Sequence, residues 1–144
     1  MQKTDKDVSA YLDSLPEPER ESMMRLDRMI SDVMRGQSRA LWEGTFWGGS
    51  EQTIIGYGDL VAGRSGQKSD WFMVGLALQK RYISLYVNAA QDGQYVAEKY
   101  RSRLGKVKVG KASISFDRLD DVDLGGLAEV LQIERDQLVG QPQG

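Results

Sequence analysis

The beginning of the chain carries two runs of apolar residues at helical spacing. Apolar residues recur at i, i+3, i+4 and i+7 behind the N-cap residue Asp7, namely Val8, Tyr11, Leu12 and Leu15. A second stripe follows a Pro-Glu-Pro-Glu segment and ends before the stop signal Gly36; its members are Met23, Leu26, Ile30 and Val33. These patterns predict two amphipathic helices that turn one face toward a core.

Between Ala40 and Asn88 the period of the pattern changes to two. Four segments rich in aromatic and branched residues are separated by polar or glycine-rich joints: LWEGTFWGG, TIIGYGDLV, WFMVGLAL and YISLYVN. Four consecutive strands without an intervening helix predict an antiparallel meander. In the fourth strand Ile83, Leu85 and Val87 alternate with more polar residues, which predicts a sheet covered on one face only.

After Asn88 the patterns are shorter. Residues 95–104 predict a short third helix, ASISF predicts a fifth strand, and spaced leucines after Asp121 or Asp123 predict a capped final helix. The prediction is an α+β fold, with an antiparallel sheet of about five strands and the N-terminal and C-terminal helices packed mainly on one face. We expect a single domain over residues 1–144, with a core at about 7–138 and a flexible tail at 139–144.

Composition narrows the chemistry that this domain can perform. The chain contains no Cys and no His, which removes thiolate zinc sites, imidazole-ligated metals and the commonest nucleophile–base pairs. A formal net charge of -2 gives no general electrostatic reason to bind nucleic acid or an anionic membrane. The polar N-terminus lacks a signal-peptide core, so we expect a cytoplasmic protein. The sequence leaves both a monomer and a homodimer open.

The stretch GDLVAGRS, residues 58–65, has the spacing of a nucleotide-binding P-loop, with Arg64 in place of the lysine. A true P-loop lies between a parallel strand and the N-terminus of a helix. Here the chain continues into the strand WFMVGLAL, so we interpret the stretch as the connection of an antiparallel pair.

Glycine and aromatic residues share one face of the first two predicted strands. The first strand has Trp42, Gly44, Phe46 and Gly48 at one parity, and the second has Gly56 and Gly58 at the corresponding parity. Glycine weakens a strand, so this face reflects either sheet curvature or a close helix, or else a hollow that admits a ligand. The opposite parity, which includes Trp47 and Tyr57, is an equal candidate. The candidate ligand-binding residues are therefore Trp42, Phe46, Trp47 and Tyr57.

A basic segment ending at Lys111 precedes a group of acidic residues between Asp117 and Asp123. Alternating lysines on a strand are typical of a solvated sheet edge protected against aggregation. Alternatively, Lys111, directly after Gly110, could aim its amine at an anionic ligand, and it joins the ligand-binding candidates. An enzyme that works through a carboxylate or Lys111 is a further alternative.

Carboxylates can hold a hard cation or ferrous iron without histidine. Three acids near the glycine face, Glu43, Glu51 and Asp59, are the candidate metal ligands, although their spacing matches no ligand motif. The alternative is that they are surface acids that keep the protein in solution.

Four segments of the chain form a pattern of their own: YLDSLP, the aromatic strands LWEGTFWG and WFMVGLALQKRYISLYV, and the late segment that contains Gly110, Lys111, Ile114 and Phe116. Together these segments resemble the bacterial YdhG-like domain family, a domain of unknown function. The resemblance runs from about Asp7 to Leu131 and implies a compact α+β domain whose antiparallel sheet is curved. Some relatives are described as frataxin-like iron chaperones, so the resemblance also implies ferrous iron as an alternative cargo.

These observations predict a non-enzymatic module that binds a small ligand or a protein and needs no cofactor. The alternative is an intracellular iron-binding chaperone of the frataxin type, which would use Glu43, Glu51 and Asp59 or the acids from Asp117 to Asp123.

Overall fold

The described part of the chain combines a large antiparallel sheet with four helices. The computed structural model describes residues 2–45, 51–62 and 69–139, without the side chains of residues 61, 62 and 69. The helices are α1 (Val8–Asp13), α2 (Glu19–Val33), α3 (Val96–Lys99) and α4 (Leu124–Leu138), with single 3-10 turns at Arg101–Arg103 and Leu119–Asp121. The strands are β1 (Gln2–Lys3), β2 (Arg39–Thr45), β3 (Glu51–Ala62), β4 (Ser69–Leu78), β5 (Ile83–Val87), β6 (Ala90–Gln91), β7 (Gln94–Tyr95), β8 (Lys108–Gly110) and β9 (Ser113–Phe116).

The main sheet contains seven strands in the order β1-β2-β3-β4-β5-β9-β8, and all of its pairs are antiparallel. Strands β2 to β5 are the predicted meander. The α+β fold with an antiparallel sheet is therefore confirmed. The short edge strand β1 is an addition, and the alternating lysines before ASISF form the separate edge strand β8. Strands β6 and β7 form a separate hairpin around Asp92 and Gly93, both of which have positive φ.

The starts of α1 and α4 follow the capping signals in the sequence. Asp7 Oδ1 accepts the backbone N–H of Ser9 at 2.9 Å at the start of α1. Asp123 Oδ1 accepts the backbone N–H of Gly126 at 3.1 Å in the first turn of α4, which decides between the two predicted caps.

All four helices contribute to a core on one face of the sheet. Residues of α2 and α4 such as Leu26, Ile30, Leu127 and Leu131 are fully buried against strand residues that include Ile55, Leu76, Leu85 and Ile114. Each fully buried aliphatic side chain of this size contributes about 1.5–3 kcal/mol through removal of apolar surface from water. We call this the helix-covered face.

The other face of the sheet carries a smaller cluster formed by strand residues. Trp42, Ile54, Phe72 and Ala77 are buried there, with Trp71 and Tyr86 packed beside them. No described helix contributes a side chain to this cluster, so the prediction of a sheet covered by helices on one face is confirmed for the described residues. We call this side the open face.

The strand alternation breaks in β4. Met73 and Val74 are neighbours in sequence, yet both belong to the helix-covered core, and Phe72 turns to the open face. The break lies opposite Gly58, whose φ of 79° is a conformation that favours glycine. Asn88 stabilises the irregular segment because its Nδ2 donates to both the Phe72 and the Met73 carbonyl oxygens at 3.0 Å.

The P-loop-like stretch begins in β3. Strands β3 and β4 pair in antiparallel fashion up to Ala62 and Ser69, so the stretch connects an antiparallel pair, as predicted. Its residues 63–65 lie outside the described residues.

Candidate functional site

Aromatic rings of the protein itself occupy the space above the glycine residues of the open face. A Cβ on Gly56 would lie 2.5 Å from Trp42 Nε1, and a Cβ on Gly75 would lie 2.5 Å from Phe72 Cε1. The indole of Trp42 therefore lies over Gly56 and the ring of Phe72 lies over Gly75. These glycines make room for core aromatic side chains, and Trp42, only 2% exposed, is a packing residue and does not form the wall of an empty hollow.

These rings extend as a cluster along the open face. The Phe72 ring is 5.6 Å from that of Trp42 in an edge-on arrangement and 4.6 Å from that of Trp71 in a stacked one. The centroid of Tyr86 lies 6.4 Å from that of Phe72. Such ring pairs contribute about 0.5–1.5 kcal/mol each to stability beyond the effect of their buried area, so the cluster is a well-packed layer on the open face.

Tyr57 lies on the helix-covered face, away from Trp42. Its hydroxyl donates to Asp27 Oδ1 of α2 at 2.7 Å, and the Arg39 guanidinium donates to both oxygens of the same carboxylate, at 2.9 Å and 2.6 Å. Burial raises the pKa of Tyr57 well above its usual value, and the adjacent carboxylate acts in the same direction. This network ties α2 to the sheet, and Tyr57 and Trp42 line no common hollow because they lie on opposite faces. Phe46 and Trp47 lie outside the described residues.

The three candidate metal ligands do not converge. Glu43 is paired with Lys6, with 2.6 Å between Oε1 and Nζ, and Asp59 accepts Lys3 Nζ at 2.7 Å. Hydrogen bonds from Lys3 and Ser38 lower the pKa of Asp59 despite the opposing effect of partial burial. Glu51 is the first residue of β3 and Asp59 lies eight residues further along the strand, roughly 26 Å away at strand rise. Across the described residues, no group of three or more acidic side chains is placed to hold a metal ion.

A groove of about 540 Å³ runs along the open face beside β5. Its lining combines aromatic rings, amides, hydroxyls and one amine: Gln52, Trp71, Gln79, Tyr82, Ser84, Tyr86, Asn88, Tyr95, Lys111, Ala112, Ser113 and Ser115. The volume is within the range of about 300–1,000 Å³ that is typical of small-ligand sites.

The floor of this groove is a connected polar surface. Gln79 Nε2 donates to Gln52 Oε1 at 3.0 Å and lies 3.3 Å from the Tyr86 hydroxyl. Ser84 Oγ and Ser115 Oγ are 3.0 Å apart across the β5–β9 pair. Burial raises the pKa of Tyr86, so its hydroxyl keeps its proton at neutral pH. Fixed polar groups between rings can orient a ligand without much reorganisation.

Two tyrosines flank β5 at the ends of the groove. Tyr82 precedes the strand and is 42% exposed, and Tyr95 in β7 is 37% exposed; no other large hydrophobic residue in the described part of the chain is as exposed. Neither tyrosine was identified from the sequence as a site residue. The alternation along β5 could have revealed Tyr82, because it shares the polar side of the strand with Ser84, Tyr86 and Asn88.

Lys111 is the predicted ligand-binding residue that the groove includes. It lies in the two-residue turn of the β8–β9 hairpin, in which Gly110 pairs with Ser113. Strand β8 is an edge of the main sheet, as the alternating lysines predicted. The structure therefore separates Lys111, which faces the groove, from Lys108, which lines a neighbouring depression at the sheet edge.

In the described part of the chain, none of the helices is both long and apolar enough to span a membrane. No family model, curated protein or solved structure matches the chain, and the resemblance to the YdhG-like family stays a prediction from the sequence.

Proposed function

We propose that this chain is a non-enzymatic binding module and that its site is the groove on the open face. The observation that carries the proposal is the lining of the groove, in which exposed rings stand beside amides and hydroxyls that are already held in place. A concave site of this volume, with a few oriented polar groups, suits a small ligand better than the flat surface of another protein.

The same lining favours binding over catalysis. General acid–base chemistry needs a proton donor and acceptor whose pKa values lie near the working pH. The described groove residues include no carboxylate, and their ionisable groups are tyrosine hydroxyls and the Lys111 amine. A ligand held here meets hydrogen-bonding and stacking groups but no described acid–base pair.

The iron-chaperone alternative receives no specific support. Oxygen-ligated iron sites require several convergent oxygens. Glu43 and Asp59 are engaged by lysines, and Glu51 lies far from Asp59 along one strand. Among the described residues, which include the acids from Asp117 to Asp123, no group of three or more acidic side chains is placed to hold a metal ion.

The proposal is tested by a ligand-observed NMR screen of ring-bearing small molecules against three proteins. These are the native chain, a Tyr82→Phe/Tyr95→Phe variant that keeps both rings, and a Tyr82→Ala/Tyr95→Ala variant that removes them. A groove binder contacts the ring at one end or the other, and the loss of one ring contact is expected to weaken it about fivefold. Hits should therefore survive in the phenylalanine variant and weaken in the alanine variant. Hits that bind all three proteins equally, or a screen without hits, would contradict the proposal.

A further inference from the structure

The described side chains of the groove include a single charged group, the ammonium of Lys111. No Asp or Glu lines the groove, and residues 46–50, 63–68 and 140–144, which lie outside the described part, contain neither residue type. Lys111 forms no ion pair with any described residue. Among the described residues, the groove therefore presents one uncompensated positive charge to a ligand.

The turn that carries Lys111 is fixed to the sheet. Ala112 has a φ of 55°, a left-handed conformation that residues with a Cβ rarely adopt. Its carbonyl oxygen accepts the backbone N–H of Val87, the last residue of β5, at 3.0 Å. This contact places Lys111 at the end of the groove where β5 stops, and outliers of this kind are concentrated at functional sites.

Tyr95 belongs to the same end of the groove. It pairs with Ala90, three residues beyond Val87, and its ring is partly open to solvent. Asn88 also lines this end, with its amide nitrogen committed to two β4 carbonyls. The partly exposed ring of Tyr95, the fixed amide of Asn88 and the amine of Lys111 therefore line the same end of the groove. Tyr82 lies at the opposite end of β5.

We propose that this end of the groove binds a small ligand that joins a flat aromatic or heteroaromatic ring to one acidic group. The ring stacks beside Tyr95 and the acidic group contacts Lys111. A polyanion such as nucleic acid fits less well, because it requires several cations along the groove and Lys111 is the only one among the described lining residues. This inference rests on the proposed function and specifies its ligand class.

The test uses two pairs of probes that differ only in the acidic group. Phenylacetate is compared with phenylacetamide, and AMP is compared with adenosine, by titration of the native chain followed through NMR amide chemical shifts. The same titrations are run on Lys111→Met and on Lys108→Met, which removes an equal charge outside the groove. A third variant, Tyr95→Ala, removes the ring, with Tyr82→Ala as its control at the far end.

The expected result is a preference of about fivefold for each anion over its neutral partner, the size of one partly exposed ion pair. Lys111→Met should abolish this preference, Lys108→Met should keep it, and Tyr95→Ala should weaken both members of each pair. If the neutral probes bind the groove as tightly as the anions, or if Lys111→Met keeps the preference, the ligand class is wrong and the binding groove stands. If no probe shifts a groove resonance at millimolar concentration, the ligand class is overturned, and the fragment screen decides the proposed function separately.

Discussion

The buried carboxyl group of Glu134 should make the stability of the fold depend on pH. Glu134 lies in α4 with 0% exposure, and its Oε1 accepts the backbone N–H groups of Asn88 at 3.0 Å and Ala89 at 2.9 Å. Its Oε2 is buried and has no hydrogen-bond partner among the described residues. Burial raises the pKa of Glu134 to about 8, against a smaller opposite effect of the two backbone N–H groups. At neutral pH the folded protein therefore holds a proton on this side chain.

The sign of the effect follows from comparison with the unfolded chain, where the pKa of Glu134 is 4.5. Between the two values the unfolded chain releases a proton that the folded chain keeps, so the free energy of unfolding falls as pH rises. The slope is about 1.4 kcal/mol per pH unit, and the difference of about 3.5 units amounts to about 5 kcal/mol over the whole window. The contribution of Glu134 is complete below about pH 4.5 and is lost as pH rises through about 8.

Glu134→Gln removes the titration but keeps a carbonyl oxygen that can accept both N–H groups. Urea unfolding, followed by tryptophan fluorescence at a series of pH values from about 5 to about 8.5, measures both proteins. The stability difference between native and variant should shift by several kcal/mol in favour of the variant across this range. The control Glu129→Gln, on the exposed side of the same helix, should leave the native slope unchanged. Parallel profiles for the native protein and Glu134→Gln would refute the reasoning, because they would mean that Glu134 is ionised in the fold.

Three further substitutions test local features of the fold. Ala112→Gly should stabilise the protein by about 1 kcal/mol in urea unfolding, because glycine adopts the left-handed turn without strain; a loss of stability would contradict the strained turn. Gly56→Ala should cost about 1–3 kcal/mol because its methyl group would lie 2.5 Å from Trp42 Nε1, whereas the helical control Gly125→Ala should be neutral or stabilising, and equal effects would argue against the close packing. Tyr57→Phe should lower the free energy of unfolding by about 1.5–3 kcal/mol through loss of a hydrogen bond to a charged group. Binding in the groove should not change because Tyr57 lies on the other face, and weaker binding by the fully folded variant would contradict that placement.

The helices and the meander could be predicted from sequence because their periodic patterns are long. The stripe from Met23 to Ile30 in α2 and the alternation from Ile83 to Val87 in β5 each continue over several repeats. Strand β1 has two residues, which is too short for any period to appear. Its pairing depends on the neighbouring strand β2 and not on its own pattern.

The site was only partly predictable because alternation does not say which face the helices cover. Lys111 was found through its place after Gly110, and it does line the groove. Trp42 and Tyr57 were both candidates because the sequence left either parity open, and they lie on opposite faces of the sheet. Gly56, one of the glycines that suggested an empty hollow, accommodates the ring of Trp42, a packing contact between strands that the pattern along one strand does not reveal.

NMR chemical-shift mapping of the native chain with phenylacetate and AMP shows whether ligands bind on the open face, in the groove beside β5. The perturbed amides should cluster at the groove strands, at residues such as Ser84, Tyr86, Ser113 and Ser115. Perturbations confined to the helix-covered side, for example at the α2 and α4 amides, would contradict binding in this groove.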